Sequence, residues 1–280
     1  MTTTVFLAVL FAALLHASWN ALVKGGADKD VSMTAVVVGQ GVLALPALLF
    51  VPAPSAESWP WLVATVVLHL GYQLFLLAAY RAGDLTEVYP IARGSAPLIV
   101  AFISVAALGV TLHVSELAGV VMIVVGIMSL SMTRRADGAM NPRAMWLALG
   151  TGCFIASYSL VDGIGARMSG TVLGYYGWAA IANAAIFLVL MSLRDRTMPR
   201  RMLAAPGPLW IGGGASYAAY ALVMWAFTQA PIALVTALRE TSILFALLFG
   251  VFALGERLNW QKVLSTAVTI GGVAVMRLAR

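Results

Sequence analysis

The sequence predicts an all-α integral membrane protein with ten transmembrane helices in two inverted five-helix repeats. Three observations lead to this fold class: an apolar composition, long runs without charge, and an internal similarity between the two halves of the chain. Hydrophobic residues make up 61% of the chain and charged residues only 10%, whereas a soluble domain has about 25% charged residues. So few charges cannot cover a water-facing surface, and we expect most of the surface to face lipid.

Runs without Asp, Glu, Lys or Arg are the second observation. Each is close to or longer than the roughly 18 residues expected of a spanning helix. The clearest are 5–23, 31–56, 58–80, 144–161 and 168–193. Continuous runs of this length exclude a transmembrane β-barrel, whose strands alternate over about ten residues. We predict helices at 4–24, 31–51, 59–80, 86–109, 115–133, 143–163, 171–193, 208–229, 232–254 and 260–278.

Turn-forming residues set the limits of these helices. Pro52 and Pro54 end the second helix, Gly83-Asp84 separates the third from the fourth, Asn141-Pro142 opens the sixth, and Pro206-Gly207-Pro208 opens the eighth. Tryptophans near helix starts favour the membrane interface; they are Trp59, Trp61, Trp146, Trp210 and Trp260. The loops are too short for a soluble domain, so we expect any function to reside in the helix bundle.

The net charge of +6 does not indicate a nucleic-acid partner. The basic residues form short clusters between apolar runs, such as Arg134, Arg135 and Arg143, which is typical of loops near anionic lipid headgroups. Most lysines and arginines fall in loops on one side of a ten-span topology, and this charge count places both termini outside the cell. The single cysteine, Cys153, excludes an intrachain disulfide and a cysteine-rich metal site.

The third observation is an internal similarity at one fixed offset. Arg93 falls on Arg239 and Gly126 on Gly272, and residues 107–109 fall on residues 253–255 without a gap. We therefore predict one repeat over 1–136 and a second over 143–280. Because each repeat has an odd number of helices, the second must enter the membrane from the opposite side. Inverted repeats of this kind are a recurrent design of secondary transporters.

Three segments resemble the EamA domain of the drug/metabolite transporter (DMT) superfamily: His16–Asn20, Ala237–Ser242 and Leu254–Leu258. The resemblance covers the whole chain as two such domains. It implies ten helices, an inverted repeat, and export or exchange of solutes, with amino acids as the cargo of the aromatic amino-acid exporter branch. It also implies cytoplasmic termini, in conflict with the charge count. The first repeat departs from the motif, since Gly255-Glu256 is replaced there by Gly109-Val110.

Ionisable residues inside spanning helices usually face a polar interior and have a function. Arg93 and Arg239 each lie well inside an apolar helix, at a depth of roughly 12 Å that makes snorkelling difficult. Glu240 is adjacent to Arg239, but neighbouring helix residues point in different directions, so we predict that Glu240 pairs with another helix. For the two arginines, a role in substrate binding or gating and a role in structural pairing both remain open.

Aromatic and polar residues in the apolar helices predict a cavity for a zwitterionic or amphipathic solute, whose carboxylate an arginine would bind. An ordinary interhelical hydrogen bond is the alternative for each residue. His16 and His69 could carry protons, although a uniporter or exchanger fits equally well. Ser159, Asp162, Tyr175, Tyr176 and Asn183 add to the polar set. The predicted substrate-binding residues are His16, Trp19, Asn20, His69, Tyr72, Gln73, Tyr89, Arg93, Tyr158, Tyr217, Tyr220, Arg239 and Glu240.

These patterns together predict a secondary transporter and not an enzyme. We expect it to move small organic solutes, such as amino acids or related metabolites, by alternating access and in the export direction across the bacterial inner membrane. The expected partners are the solute and the lipid bilayer, with no nucleic acid and no cofactor, in a monomer or weak homo-oligomer. A multidrug or cation exporter is the alternative. A channel or a membrane enzyme is less favoured, since the three histidines have no metal-ligand spacing and no nucleophile motif is present.

Overall fold

The computed structural model of the protein describes residues 1–83, 85–132, 141–254 and 260–278, and every regular element in these ranges is helical. A short 3-10 helix (Ala56–Ser58), here called the 3-10 turn, precedes α3. A short π-helix (Gly207–Gly212), here called the π turn, precedes α9. The helices are α1 (Thr3–Gly25), α2 (Lys29–Leu48), α3 (Trp59–Ala82), α4 (Leu85–Ala106), α5 (Val114–Met132), α6 (Pro142–Met168), α7 (Val172–Arg194), α8 (Met198–Leu203), α9 (Gly213–Gln229), α10 (Ile232–Arg239), α11 (Ser242–Leu254) and α12 (Trp260–Leu278).

Seven stretches of the described chain are long and apolar enough to cross a membrane. They are Thr3–Val23, Lys29–Leu48, Ala56–Ala82, Val88–Ala106, Pro142–Met168, Val172–Arg194 and Ile232–Phe249. A shorter apolar helix covers Val114–Ser129. The all-helical fold is therefore confirmed, with seven candidate membrane spans in the part of the chain that the structure describes.

Several predicted helix limits were wrong. The second helix ends at Leu48 and not at residue 51. The N–H groups of Leu49 and Phe50 donate to the carbonyls of Pro46 and Ala47, three residues back, and this tightened turn ends the helix. The sixth continues to Met168 and not to residue 163. Its charged residues are accommodated within the fold: Asp162 accepts a hydrogen bond from Tyr220, and Arg167 donates to the Phe227 carbonyl.

Three further predictions need correction or lie outside the described residues. The fourth helix ends at Ala106 and not at residue 109, and Gly109 has a φ of 64°, which favours glycine in a turn. The predicted eighth helix begins with the π turn, and the predicted ninth is divided into α10 and α11. The Gly255-Glu256 motif, the basic pair Arg134-Arg135, and Asp84 lie outside the residues that the structure describes.

The chain divides into two compact units that do not coincide with the predicted repeats. Unit 1 comprises Met1–Phe6, Gly71–Leu160 and Ala230–Arg280, and unit 2 comprises Leu7–Leu70 and Val161–Gln229. Each unit therefore takes helices from both the N-terminal and the C-terminal part of the chain. The repeat boundaries at 1–136 and 143–280 stay a prediction.

In unit 1, glycines bring α5 and α12 into close contact. The Gly126 carbonyl accepts a hydrogen bond from the Ser265 hydroxyl, and a Cβ added at Gly126 would lie 2.9 Å from the Ser265 carbonyl oxygen and the Thr269 nitrogen. A Cβ added at Gly272 would lie 2.8 Å from the Gly119 carbonyl oxygen. Glycine at these positions permits the close backbone approach on which helix association in lipid depends.

We expect Gly126→Ala to lower the free energy of unfolding by about 1–3 kcal/mol, because the added methyl group meets rigid backbone atoms of α12. Gly25→Ala is the matched control, since nothing lies within 4 Å of a Cβ added at Gly25. Unfolding of the purified protein in detergent, followed by tryptophan fluorescence, measures both variants. Equal stability of the two variants would contradict the close α5–α12 contact.

In unit 2, α2 packs against α7 and against the π turn and α9. Arg201 joins the start of α2 to the end of α7 by ion pairs of 2.6 Å to Asp28 and 2.7 Å to Asp195. Hydrogen bonds from Thr197 and Arg201 lower the pKa of Asp195 to about 2. Because the folded pKa is the lower one, this contribution to stability is present above the ordinary pKa and is lost only as the pH falls towards 2.

Candidate functional site

The division between α10 and α11 positions the charged residues of unit 1. α10 ends at Arg239, and the backbone N–H groups of Glu240 and Thr241 donate to the carbonyls of Ala237 and Leu238 in a tightened turn. The Thr241 hydroxyl donates to the Leu238 carbonyl as well. α11 then begins at Ser242. In a continuous helix, the side chains of residues 239 and 240 would point about 100° apart. The break between α10 and α11 therefore changes the angle between these two side chains.

Arg93, Arg239 and Glu240 form a buried group that we call the charged triad. The Arg93 Nε lies 2.5 Å from Glu240 Oε2, and the Arg239 Nη2 lies 3.3 Å from Glu240 Oε1. Their side chains are at most 2% exposed. Arg93 also donates to the Ser242 hydroxyl at 3.2 Å, and Arg239 donates to the Ser159 hydroxyl at 3.5 Å. Two guanidinium groups therefore share one carboxylate in an apolar surrounding.

These contacts bear on what was expected of Glu240. The prediction that it pairs with another helix is confirmed by its contact with Arg93 on α4. The expectation that it would point away from Arg239 was wrong, because the helix ends between the two side chains and the angular spacing of a helix does not apply there.

Tyrosine rings cover both guanidinium groups. The Arg93 Cζ lies 5.6 Å from the centroid of the Tyr89 ring, and the Arg239 Cζ lies 5.8 Å from that of Tyr158. Tyr72 contacts Tyr158 edge to face at a centroid distance of 5.5 Å. Such contacts stabilise a cation in a site with little water. The unit 1 cluster thus combines two cations with three aromatic rings.

One nitrogen of the Arg93 guanidinium has no partner within the charged triad. This Nη1 is buried and has no hydrogen-bond partner among the described residues. The same is true of the Gln73 Oε1, on a side chain that is also buried. A buried donor without an acceptor costs about 1–3 kcal/mol, and more when it is charged. An anionic oxygen placed beside the Arg93 Nη1 would remove that cost.

A second polar cluster lies in unit 2. Asp162 on α6 accepts a hydrogen bond from the Tyr220 hydroxyl on α9, and its Oδ2 lies 3.9 Å from the Nε2 of His69 on α3. The rings of His69 and Tyr220 meet edge to face with centroids 5.4 Å apart. Tyr176 stacks on Tyr217 at 5.2 Å and contacts Tyr220 at 5.3 Å.

The sequence profile of the EamA-like transporter family matches residues 3–132 and 142–278, which is nearly the whole chain in two repeats. The chain belongs to the EamA-like transporter family. The resemblance to the DMT superfamily is thereby confirmed, and so is a two-repeat architecture. The aromatic amino-acid exporter branch stays a prediction.

A solved crystal structure of another protein has the same fold as this EamA-family chain. The two share 20% sequence identity with a TM-score of 0.80, and the alignment covers 100% of both chains. At this identity the likeness concerns the fold alone. A search of the curated proteins gives no match. The family therefore establishes a membrane transporter, while the substrate has to be argued from the side chains.

The thirteen predicted site residues of this EamA-family chain fall into the two units. Unit 1 contains Tyr72, Gln73, Tyr89, Arg93, Tyr158, Arg239 and Glu240, and unit 2 contains His16, Trp19, Asn20, His69, Tyr217 and Tyr220. The two arginines, the glutamate and the three tyrosines of unit 1 contact one another as described above. Their role in binding a substrate remains a prediction.

Three of the predicted residues in unit 2 form hydrogen bonds along α1 itself. The Trp19 Nε1 donates to the His16 Nδ1 at 3.2 Å, and the two rings meet edge to face. The Asn20 amide donates to the His16 carbonyl at 2.7 Å. These contacts fix the orientation of the His16 ring on the helix.

Two residues of these clusters, Ser242 and Asp162, were not among the predicted binding residues. The Ser242 hydroxyl accepts a hydrogen bond from Arg93, and Asp162 accepts one from the Tyr220 hydroxyl. Asp162 was noted as polar but placed at the end of a helix. The signal that could have identified its importance is a single carboxylate between long apolar segments, which is costly to bury without a role.

Proposed function

We propose that the protein is a secondary transporter that exports small carboxylate-bearing organic solutes, such as amino acids or related metabolites, across the bacterial inner membrane by alternating access. The observation that carries the proposal is the charged triad, in which the buried Nη1 of Arg93 has no hydrogen-bond partner among the described residues. Membership of the EamA-like transporter family supports transport itself.

The chemistry of the charged triad favours an anionic group as ligand. One carboxylate faces two guanidinium groups, and a guanidinium can bind a second carboxylate through two parallel hydrogen bonds. The tyrosine faces at Tyr89, Tyr158 and Tyr72 provide surfaces for the apolar part of a solute. A zwitterionic amino acid with an aromatic or aliphatic side chain combines both features.

We also propose that the chain crosses the membrane ten times as two inverted repeats. Besides the seven apolar stretches, α5, the π turn with α9, and α12 would supply the remaining three spans. Gly126 and Gly272, which align in the two repeats, both lie at the α5–α12 contact. This placement supports a shared origin of α5 and α12, as an internal repeat requires.

Transport by the purified protein in proteoliposomes tests the proposal. We expect saturable uptake of labelled phenylalanine. Unlabelled phenylalanine inside the vesicles should accelerate this uptake, because a loaded carrier reorients across the membrane faster than an empty one. Phenethylamine, which keeps the ring and lacks the carboxylate, should compete weakly. Flux that does not saturate would indicate a channel. Absence of phenylalanine flux, together with no shift in melting temperature by any of the common amino acids, would contradict the proposal.

A cation exporter is the second candidate, and the cluster around Asp162 favours it. A buried carboxylate lies beside Tyr220, and the stacked rings of Tyr176 and Tyr217 lie next to Tyr220. Carboxylates and tyrosine faces together bind organic cations. Saturable transport of tetraphenylphosphonium that is abolished by Asp162→Asn, with no transport of phenylalanine, would establish this candidate in place of the first.

A further inference from the structure

The spanning helices of unit 2 hold an acidic residue and a histidine in one cluster. The side chain of Asp162, on α6, is only 2% exposed, whereas the side chain of His69, on α3, is 21% exposed. An ionised carboxylate in such a position is costly to bury unless a positive charge or hydrogen bonds compensate it. The Tyr220 hydroxyl supplies a hydrogen bond, and His69 supplies a positive charge when its ring is protonated.

The surroundings of His69 suit a protonated ring. Its Nδ1 lies 3.0 Å from the Thr65 hydroxyl oxygen and 3.1 Å from the Thr65 carbonyl oxygen, and its Nε2 faces Asp162 Oδ2 at 3.9 Å. A protonated imidazole donates from both nitrogens, whereas a neutral one donates from a single nitrogen. A carbonyl oxygen and a carboxylate oxygen both accept. On the protonated ring, Nδ1 lies within hydrogen-bond distance of an acceptor, and Nε2 lies at ion-pair distance from the Asp162 carboxylate.

Tyrosines on α7 and α9 face this pair. Tyr175 and Tyr176 face Asp162 from α7, and Tyr220 faces both Asp162 and His69 from α9, with Tyr217 stacked on Tyr176. The pKa of a tyrosine is ordinarily about 10, so these groups keep their protons at neutral pH. These tyrosines therefore contribute no change of charge near neutral pH, whereas an imidazole such as that of His69 ordinarily titrates there.

We propose that His69 and Asp162 form the proton-binding site that couples transport to a proton gradient. The Nε2 of His69 accepts a proton from the side of the membrane to which the carrier is open. The resulting imidazolium pairs with Asp162. When the carrier opens to the other side, Nε2 releases the proton to water and the ring becomes neutral again. The Tyr220 hydroxyl holds the Asp162 carboxylate in place throughout. The inference rests on the proposed function, since coupling requires a carrier.

Phenylalanine transport in proteoliposomes under a pH difference of one unit, applied in each direction, provides the first test. For one coupled proton, such a gradient can drive about tenfold accumulation. We expect accumulation in the wild type in one direction of the gradient, and none in His69→Gln or Asp162→Asn. His113→Gln and Glu57→Gln are the matched controls, because both side chains are exposed, and they should behave as the wild type.

A second test does not depend on the transported solute. We expect the melting temperature of the purified protein to be higher at about pH 6 than at about pH 8, because only the protonated ring pairs with Asp162. His69→Gln and Asp162→Asn should each lose most of this difference, while His113→Gln should keep it. A pH difference that survives in both site variants would overturn the inference.

The two tests separate the failure of this inference from the failure of the proposed function. Transport of phenylalanine without any effect of the pH gradient would leave the carrier in place and refute the proton site. Absence of phenylalanine transport, together with no shift in melting temperature by any of the common amino acids, would refute the proposed substrate class. The dependence of the melting temperature on pH would still decide whether the pair binds a proton. A shift in melting temperature by tetraphenylphosphonium that requires Asp162, with no dependence on pH, would assign the cluster to an organic cation instead.

Discussion

Replacing Arg93 with Gln is expected to reduce the kcat/KM for phenylalanine transport by about 10- to 150-fold, because a hydrogen bond to a charged group contributes about 1.5–3 kcal/mol. The loss should be specific to the carboxylate, since Gln is polar but has neither the charge nor the fork of the guanidinium. Transport of phenethylamine should therefore fall much less. Initial rates of both labelled compounds in proteoliposomes measure the difference.

Three further variants define what the effect means. Arg93→Lys keeps the charge without the planar fork and should be intermediate. Arg239→Gln should have a smaller effect, because it leaves the unpartnered Nη1 of Arg93 in place. Arg143→Gln alters an exposed arginine and should have no effect. If Arg93→Gln folds normally and loses both compounds equally, Arg93 is a gate or a structural brace and not a carboxylate ligand.

Replacing Glu240 with Gln is expected to lower the free energy of unfolding by about 3–5 kcal/mol, because two buried guanidinium groups would lose their shared counter-charge. Unfolding in detergent and the monodisperse fraction after purification measure the loss. Glu57→Gln is the control, since Glu57 is exposed in the 3-10 turn that precedes α3. Stability equal to the wild type would show that the charged triad is compensated by groups other than Glu240.

A variant in which the whole charged triad becomes apolar separates stability from function. Replacement of a complete buried ion group by apolar residues of similar volume is often neutral or stabilising. We therefore expect the triple variant Arg93→Met, Arg239→Met, Glu240→Leu to be more stable than Glu240→Gln. It should still fail to transport phenylalanine at a measurable rate. Retained phenylalanine transport would exclude the charged triad as the site for the carboxylate.

The fold followed from the sequence wherever it depends on hydrophobicity. Runs of about twenty apolar residues form helices in any arrangement that satisfies their backbone groups in lipid, so most helix positions were correct. The break at Glu240 and the π turn at Gly207–Gly212 could not be predicted in this way. Both depend on how the helix packs against its neighbours, and Glu240 carries no glycine or proline signal at the break.

The candidate site was predictable in its residue types and less so in its grouping. Two arginines in apolar helices indicated a buried ionic site, but the sequence does not say which cation Glu240 pairs with, and it pairs with both. Asp162 was included in the polar set of the cavity but not among the predicted binding residues, because the sequence does not show which side chains it contacts. Its burial, and the hydroxyl of Tyr220 that accompanies it, are tertiary properties.

The composition of the two compact units has a consequence for biosynthesis. α5 in the N-terminal part packs on α12, the last helix, and α2 packs on α7. During translation, α2 and α5 are therefore synthesised before their partners α7 and α12. Their contact faces stay uncovered in the bilayer until those partners have been synthesised. A fragment that ends near residue 136 would contain α5 without α12 and α2 without α7. Although the gene is built from two similar parts, neither part encodes a complete folding unit.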